Sequence, residues 1–281
     1  MTTDMIAADF VHARRTATAL DDYPGAIPGS LSQSYAIQDH AIELWGAPVV
    51  GWKIARLAPD KHGEHGTERL AGPVFGTTLK VCDGQVLSVP VFVGGFAAVE
   101  AEFVFRVDHD ADPDKVDYSE EEALRLIDAM FAGVEMAGSP LATINSLGPT
   151  VTASDFGNNF GLIVGEKLAG FDSDVTTEVL NGEAVAGFTT QSAIDGTVVG
   201  RGGLFSLPGG PLKAIAWLAG HLAGRGRPLR KGQYISSGAT TGVHEIGPDQ
   251  SAVVTFSGGH GTVEIAVRTV ALVAGVGEIG Q

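Results

Sequence analysis

The sequence predicts a strand-rich α+β protein, and three observations carry that expectation. Two amphipathic helical patterns open the chain. Alternating or continuously apolar runs of strand length then dominate, with few further helical stretches between them. Glycine is abundant, at 39 of 281 residues, as suits a chain with many turns. An apolar share of 44% in a chain of this length can bury a substantial core, as one large domain or two modest ones.

The totals also exclude some classes. A formal net charge of −15 makes nucleic-acid phosphate an unsuitable partner. An anionic ligand would need local positive charge, from a metal or from a placed Lys or Arg. Cys82 is the single cysteine, which excludes an internal disulfide and fits a reducing cytoplasm. There is no Cys/His cluster to suggest zinc. The opening Met1-Thr2-Thr3-Asp4-Met5 lacks a basic segment followed by an apolar core, so no signal peptide is expected. No apolar run reaches membrane-spanning length, and no membrane partner is expected.

Residues 4–20 read as a helix with Ile6, Phe10, Ala13 and Ala17 on one side and Arg15 on the other. Pro24 and Pro28 punctuate a connector, and a second helix is expected from Ser32 through Tyr35, Ile37, Ile42 and Leu44 to Trp45. The two make an N-terminal helical region, 1–48, ahead of a larger domain, 49–281. Val49–Ala55 reads as a strand with Lys53 among apolar neighbours. Such a lysine is most often a snorkelling edge residue. The functional alternative is a desolvated lysine with a lowered pKa, fit to move protons or to pair with a carboxylate. Pro59 to Thr67 is polar, carries Lys61, His62, Glu64 and His65, and reads as a mobile loop able to close over a site.

Ala98–Val107 is the clearest strand. Val99, Ala101, Phe103, Phe105 and Val107 share one face, so Glu100 and Glu102 project together from the other. Two neighbouring carboxylates are tolerable in water and costly in a cleft, unless a cation or proton lies between them. Ser119 caps a helix expected to carry Ala123, Leu126, Ile127, Met130 and Phe131 inward and to end at Gly133. Val134–Ala137 then resumes as a strand bearing Glu135, a lone carboxylate that could complete a set of three.

The polar stretch Asn145–Asn159, which contains Asp155, precedes a buried strand at Phe160–Gly165. Strands at 175–180 and 185–190 would flank an Asn181-Gly182 hairpin turn. A helix from Pro211 to Leu222 and strands near 233–237, 251–257 and 262–269 complete the pattern. Ser237, Gly238 and Thr240 stand at a strand end, where backbone N–H groups suit a carboxylate; a plain glycine-rich turn accounts for them equally well. The absence of G-x-G-x-x-G after a strand, of a P-loop and of G-x-S-x-G argues against nucleotide or serine-hydrolase chemistry.

Several segments, in shared order and spacing, resemble one group. They are Gly51-Trp52-Lys53-Ile54, Val99-Glu100-Ala101-Glu102, Val134-Glu135, and Ala153-Ser154-Asp155 before Gly161–Gly165. Pro211–Leu218 and Ser237–Gly242 follow. The chain resembles, from about residue 30 to 270, the 2-keto-4-pentenoate hydratase group of the fumarylacetoacetate hydrolase superfamily, which includes 4-oxalocrotonate-type decarboxylases. The resemblance implies a mixed β-roll with a small N-terminal helical part, assembly as a homo-oligomer, and Mg²⁺ or Mn²⁺ held by Glu100, Glu102 and Glu135. It implies a 2-oxo or 2-hydroxydienoic acid as substrate, with Lys53 pairing its carboxylate or moving a proton. Trp52, Asp155, Ser237, Gly238 and Thr240 are the expected substrate contacts.

The expected reaction is hydration to a 4-hydroxy-2-oxo acid, as in aromatic-compound catabolism. Decarboxylation, C–C hydrolysis, or a structural role beside an active relative are the alternatives. Two departures bear on the choice. Pro73-Val74-Phe75-Gly76 has Val where the group commonly has Asp, and Gly138-Ser139-Pro140 stands where Asp-Ser-Arg is usual. Glu64 and His65, with His62, are the substitutes the sequence offers for activating water. Arg56, Arg69 and Arg201 are candidates to read a distal carboxylate.

Overall fold

A computed structural model describes residues 2–171, 177–180, 185–258 and 261–275. Helices α1 (Thr3–Thr16) and α2 (Leu31–Trp45) come first. Ser30 caps α2 by accepting from the Gln33 N–H, and Gly46 ends it in the left-handed region. Strands β1 (Val49–Arg56), β2 (Arg69–Phe75), β3 (Leu79–Val81), β4 (Leu87–Val91) and β5 (Phe96–Val107) follow. Pro59–Lys61 and α3 (His62–His65) form short helical turns between β1 and β2, where the sequence suggests an irregular loop.

Two sheets are built from these and the later strands. β6 (Ile127–Ser139), β7 (Asn159–Gly170), β10 (Tyr234–Ser236) and β11 (His244–Glu245) join β1, β2, β3 and β5. The resulting mixed sheet runs β2-β1-β10-β5-β6-β7-β3, with β11 also against β5. β8 (Thr189–Ile194), β9 (Thr197–Gly203), β12 (Ser251–Gly258) and β13 (Gly261–Ala271) join β4 in a second sheet, β4-β13-β12-β8-β9. The apolar face of β5 meets the second sheet, where the Phe103 ring packs edge-on against Phe256 at 5.5 Å and against Phe188 at 6.2 Å. Both faces of β5 are thus buried, so the carboxylates of Glu100 and Glu102 point into protein rather than water.

Short helices α4 (Glu120–Arg125) and α5 (Pro149–Ser154) and the long α6 (Gly210–Gly224) cover the first sheet together with α1 and α2. Ile6, Phe10, Ile37 and Ile42 belong to the same core as Trp52 and Phe105. Among the described residues no helix is long and apolar enough to cross a membrane.

Three expectations are corrected here. The helix capped by Ser119 carries the full capping box with Glu122 but stops at Arg125, and Ile127–Gly133 belongs to β6. That segment lies between β5 and β7 and takes ladder hydrogen bonds from both, a benefit no local helix would supply. Lys53 does not stand on an edge strand, because β1 lies between β2 and β10. Thr177–Leu180 is a 3₁₀ turn, and β8 starts only at Thr189; the Asn181-Gly182 turn lies outside the described residues.

Candidate metal centre

Register places the carboxylates. Glu100 and Glu135 are direct partners across β5 and β6, and directly opposed residues of an antiparallel pair share a face. Glu102 follows two residues along β5 on that face. The three side chains are 5%, 0% and 0% exposed for Glu100, Glu102 and Glu135, and each offers an oxygen within 4.8 Å of the others.

Two of the three carboxylates, Glu102 and Glu135, are partly held by the protein. Ser236 Oγ donates to Glu102 Oε2 at 2.5 Å, and the Gly238 N–H donates to the same oxygen at 2.8 Å. Gly238 has φ +119°, a conformation that favours glycine and turns its N–H inward. Asn159 Nδ2 donates to Glu135 Oε1 at 3.0 Å. Lys53 Nζ lies 3.2 Å from Glu135 Oε1 and donates to Asn158 Oδ1 at 2.8 Å. Asn158 in turn donates to Asn145 Oδ1 at 3.0 Å. Two oxygens, Glu102 Oε1 and Glu135 Oε2, are buried and have no hydrogen-bond partner among the described residues.

The electrostatics of this cluster are unbalanced. Burial, then the Glu135 charge, push Glu100 up to about 8, with Lys53 opposing. Burial and the charges of Glu135 and Glu100 raise Glu102 well above the ordinary carboxylate range, against its hydrogen bonds from Ser236 and Gly238. Burial disfavours the Lys53 ammonium, but the three glutamates, Glu135 foremost, outweigh it and leave its pKa raised. The lowered value expected for a desolvated lysine is therefore corrected. With all four groups ionised, three negative charges face one positive, and two remain. A hard divalent cation has the charge and the oxygen preference to match, so the donor set fits such an ion.

A cavity of about 740 Å³ opens over this cluster. Lys53, Glu100 and Asn158 lie at its buried end, Ser237 and Gly238 on a wall, and Arg56, Lys61 and Arg69 also line it. Glu102 and Glu135, fully buried, do not line it.

Other expected site residues have different work. Ser237 Oγ donates to Phe103 O at 2.7 Å. Thr240 Oγ1 donates to Ala101 O at 2.8 Å, is buried and pins its loop to β5. Trp52 points away from Lys53 by strand alternation and is a core residue with the Arg225 guanidinium 5.7 Å from its ring. Asp155 is buried in an ion pair, with Arg14 Nε 2.6 Å from Oδ1 and Ser139 Oγ donating to Oδ2 at 2.6 Å. Glu64 is exposed and pairs with Lys61 at 3.0 Å, while His65 lines a second cavity beside Tyr35, Trp217 and His221. The structure thus does not bring Glu64 or His65 to the carboxylates, and His62 bonds the Leu57 carbonyl. Arg201 is exposed and bonded to Gln191. The positions that depart from the group offer no substitute acid: Val74 packs with Val104, Leu162 and Val164, and the Gly138 carbonyl accepts from Arg14.

Sequence reasoning missed Asn158, Asn159 and Ser236. The paired asparagines directly before an apolar strand were the available signal, since an amide there ends up beside whatever the strand buries.

No family model matches the chain. In sequence it is 26% identical over 217 residues to 2-keto-4-pentenoate hydratase from Paraburkholderia xenovorans, covering 75% of this chain and 74% of that protein. It is 25% identical over 215 residues to TodF product hydratase from Pseudomonas putida, covering 74% of each. In structure it matches 4-oxalocrotonate decarboxylase from Pseudomonas putida, solved with magnesium and adipate, at a TM-score of 0.72 and 18% identity, over 95% of this chain and 97% of that one. A fumarylpyruvate hydrolase from Pseudomonas aeruginosa, solved with Mn²⁺ and pyruvate, matches at 0.54 and 15% identity, over 80% and 91%. The resemblance read from the sequence therefore holds: the chain is similar to the 2-keto-4-pentenoate hydratase and 4-oxalocrotonate decarboxylase group, on the α+β fold of the fumarylacetoacetate hydrolase superfamily.

Proposed function

We propose that this protein is a divalent-metal-dependent lyase of small 2-oxo acids that hydrates a 2-hydroxy-2,4-dienoate to a 4-hydroxy-2-oxo acid. The observation that carries the reading is the buried set Glu100, Glu102 and Glu135, with two oxygens lacking protein partners, beside Lys53 at the end of a cavity. These glutamates would hold Mg²⁺ or Mn²⁺, which when bound supplies Lewis-acid polarisation of an oxygen on the substrate. The hydratase names of relatives about a quarter identical support the same reading.

Hydration moves protons as well as water. For a pentadienoate, a proton leaves the C2 hydroxyl and one arrives at C5; the hydroxyl of water then joins C4 and a proton joins C3. Lys53 Nζ, fixed between Glu135 and Asn158, is the cation placed to pair with the C1 carboxylate or to pass a proton along the chain. Ser236 and Gly238 keep Glu102 from rotating, which preserves the spacing of the set.

A second reading, decarboxylation, draws on Val74 and Gly138. Loss of CO₂ needs no activated water, and neither position supplies an acid to activate one.

The test is turnover of 2-hydroxypenta-2,4-dienoate, followed by its ultraviolet absorbance, with Mg²⁺, with Mn²⁺ and after chelation. Metal-dependent consumption with a hydroxy-oxo acid as product is the expected result. Clear metal binding without consumption would transfer the assignment to decarboxylation or C–C cleavage. Absence of metal binding would overturn the three-glutamate site.

A further inference from the structure

Val74, Gly138, Glu64 and His65 bring no acid or base to the carboxylates, yet in hydration an oxygen must be delivered to C4. The wall of the cavity carries a donor for it. Lys53 has only protons to give, so the Asn158 atom that faces it at 2.8 Å is Oδ1. The other end of the same amide, Nδ2, then faces Asn145 and donates to its Oδ1 at 3.0 Å. Asn145 keeps both N–H groups of its own Nδ2, which meet no acceptor among the described residues. A donor-only ammonium at the buried end of the cavity thus sets the direction of two amides in series, and the last of them is left donating.

Asn145 is exposed and lines the cavity, and its backbone is fixed. Its carbonyl accepts from the Gly148 N–H at 3.3 Å, and the preceding Ile144 is fully buried, with its carbonyl taken by Thr152 Oγ1 at 3.1 Å. Other neutral side chains of the wall are committed. Ser146, Thr152 and Ser237 give their hydroxyl protons to backbone carbonyls. Ser206 accepts from the Gly203 N–H and keeps its own proton, but among the described residues no hydrogen bond links it to Lys53. Two hydrogen bonds and two amide widths, at most about 10 Å, lead from Lys53 Nζ to Asn145 Nδ2. An extended 4-hydroxy-2-oxo acid sets its C4 oxygen about 5 Å from C1, so with C1 at Lys53 that oxygen comes within reach of Asn145.

We infer that Asn145 Nδ2 donates to the C4 oxygen of the bound 4-hydroxy-2-oxo acid, and in hydration to the water that becomes it. The C4–O bond forms as the C3–C4 double bond is consumed; the water gives up one proton and C3 gains one. The amide takes no proton itself and serves to hold the oxygen against C4. The inference rests on the hydration of a 2-oxo acid proposed above and deepens it.

The experiment titrates 2-oxopentanoate and each enantiomer of 4-hydroxy-2-oxopentanoate into the Mn²⁺-loaded full chain by calorimetry. These acids are equal in charge and chain length and differ only at C4. The better-bound enantiomer is expected to bind roughly fivefold more tightly than 2-oxopentanoate, the scale of one neutral hydrogen bond. That ratio should fall to near one in Asn145→Ala and in Asn145→Asp, whose carboxylate still accepts from Asn158 but has no N–H to give. Both variants should take up Mn²⁺ at the stoichiometry of the parent, and Ser206→Ala should keep the ratio. Equal binding of the acids to the parent, a ratio unchanged in the Asn145 variants, or its loss in Ser206→Ala alone would overturn the inference and leave the 2-oxo-acid reading standing. Loss of Mn²⁺ uptake in both Asn145 variants would make the residue structural and overturn it as well. If Mn²⁺ binds to the parent and none of the acids does, the 2-oxo-acid reading itself is overturned, and this inference with it.

Discussion

Lys53 is the residue at which local pattern and tertiary environment diverge most. Read alone, a lysine in Val-Val-Gly-Trp-Lys-Ile-Ala is an edge residue with its ammonium in water. That it lies inside the sheet follows from β10, far along the chain, which pairs with the edge of β1 that β2 leaves open and which no local window contains. The glutamates were more legible, because alternation alone puts Glu100 and Glu102 on one face; that Glu135 lies opposite Glu100 needs the β5–β6 register. Glu102 also separates charge from shape. In Glu102→Gln the amide oxygen can still accept from Ser236 and Gly238, but one negative charge is gone. Turnover is expected to fall by about a hundredfold or more, with weaker metal binding by calorimetry. The metal-free melting temperature should stay level or rise, since a buried carboxylate has been removed. Unchanged turnover would exclude Glu102 from the site.

Among the elements, β6 shows why propensity misleads. Ser119 and Glu122 make a capping box worth a short helix, and the apolar residues that follow fit either period over so few positions. The outcome is decided by β5 and β7, which together pair with β6 along nearly its whole length. The turn Phe156–Asn158 matters for the opposite reason, because it is irregular and yet carries Asn158 to Lys53. It fits only because β2 has Gly72 beneath it: a Cβ on Gly72 would lie 1.9 Å from Phe156 O. Gly72→Ala must push the turn outward, since the obstacle is backbone. We expect a loss of about 2–3 kcal/mol in denaturant unfolding and reduced turnover at intact Mn²⁺ stoichiometry. A variant as stable and active as the parent would show that Asn158 has freedom the packing denies.

For the molecule as a whole, the buried carboxylates link folding to pH. The folded-state pKa of Glu100, about 8, exceeds its ordinary 4.5, and Glu102 is shifted the same way. The folded state then binds protons more tightly than the unfolded one. The linked stability is full below the ordinary pKa and is lost as pH rises through the folded value. The chelated protein should therefore melt at progressively lower temperature from about pH 5 to 8, and saturating Mg²⁺ should remove most of that fall by taking the place of the protons. A chelated protein that gains stability over the same range would contradict the assignment. Overall charge, strand content and the helical start were readable in composition and pattern. Which strands neighbour one another was not, because β1–β10 and β4–β13 join residues far apart through contacts that leave no local trace. Arg14 shows how far such contacts reach. This α1 residue bonds Gly138 O, Asp155 and Asn159 O, and Asn159 bonds Glu135. On the ribosome the arginine is made first and its counter-ion 141 residues later. At about 5–20 residues per second, the helix waits roughly seven to thirty seconds before that charge can be buried. The nascent chain must keep its first helix soluble through that interval, and the footing of the carboxylate cluster closes only after more than half the protein has emerged.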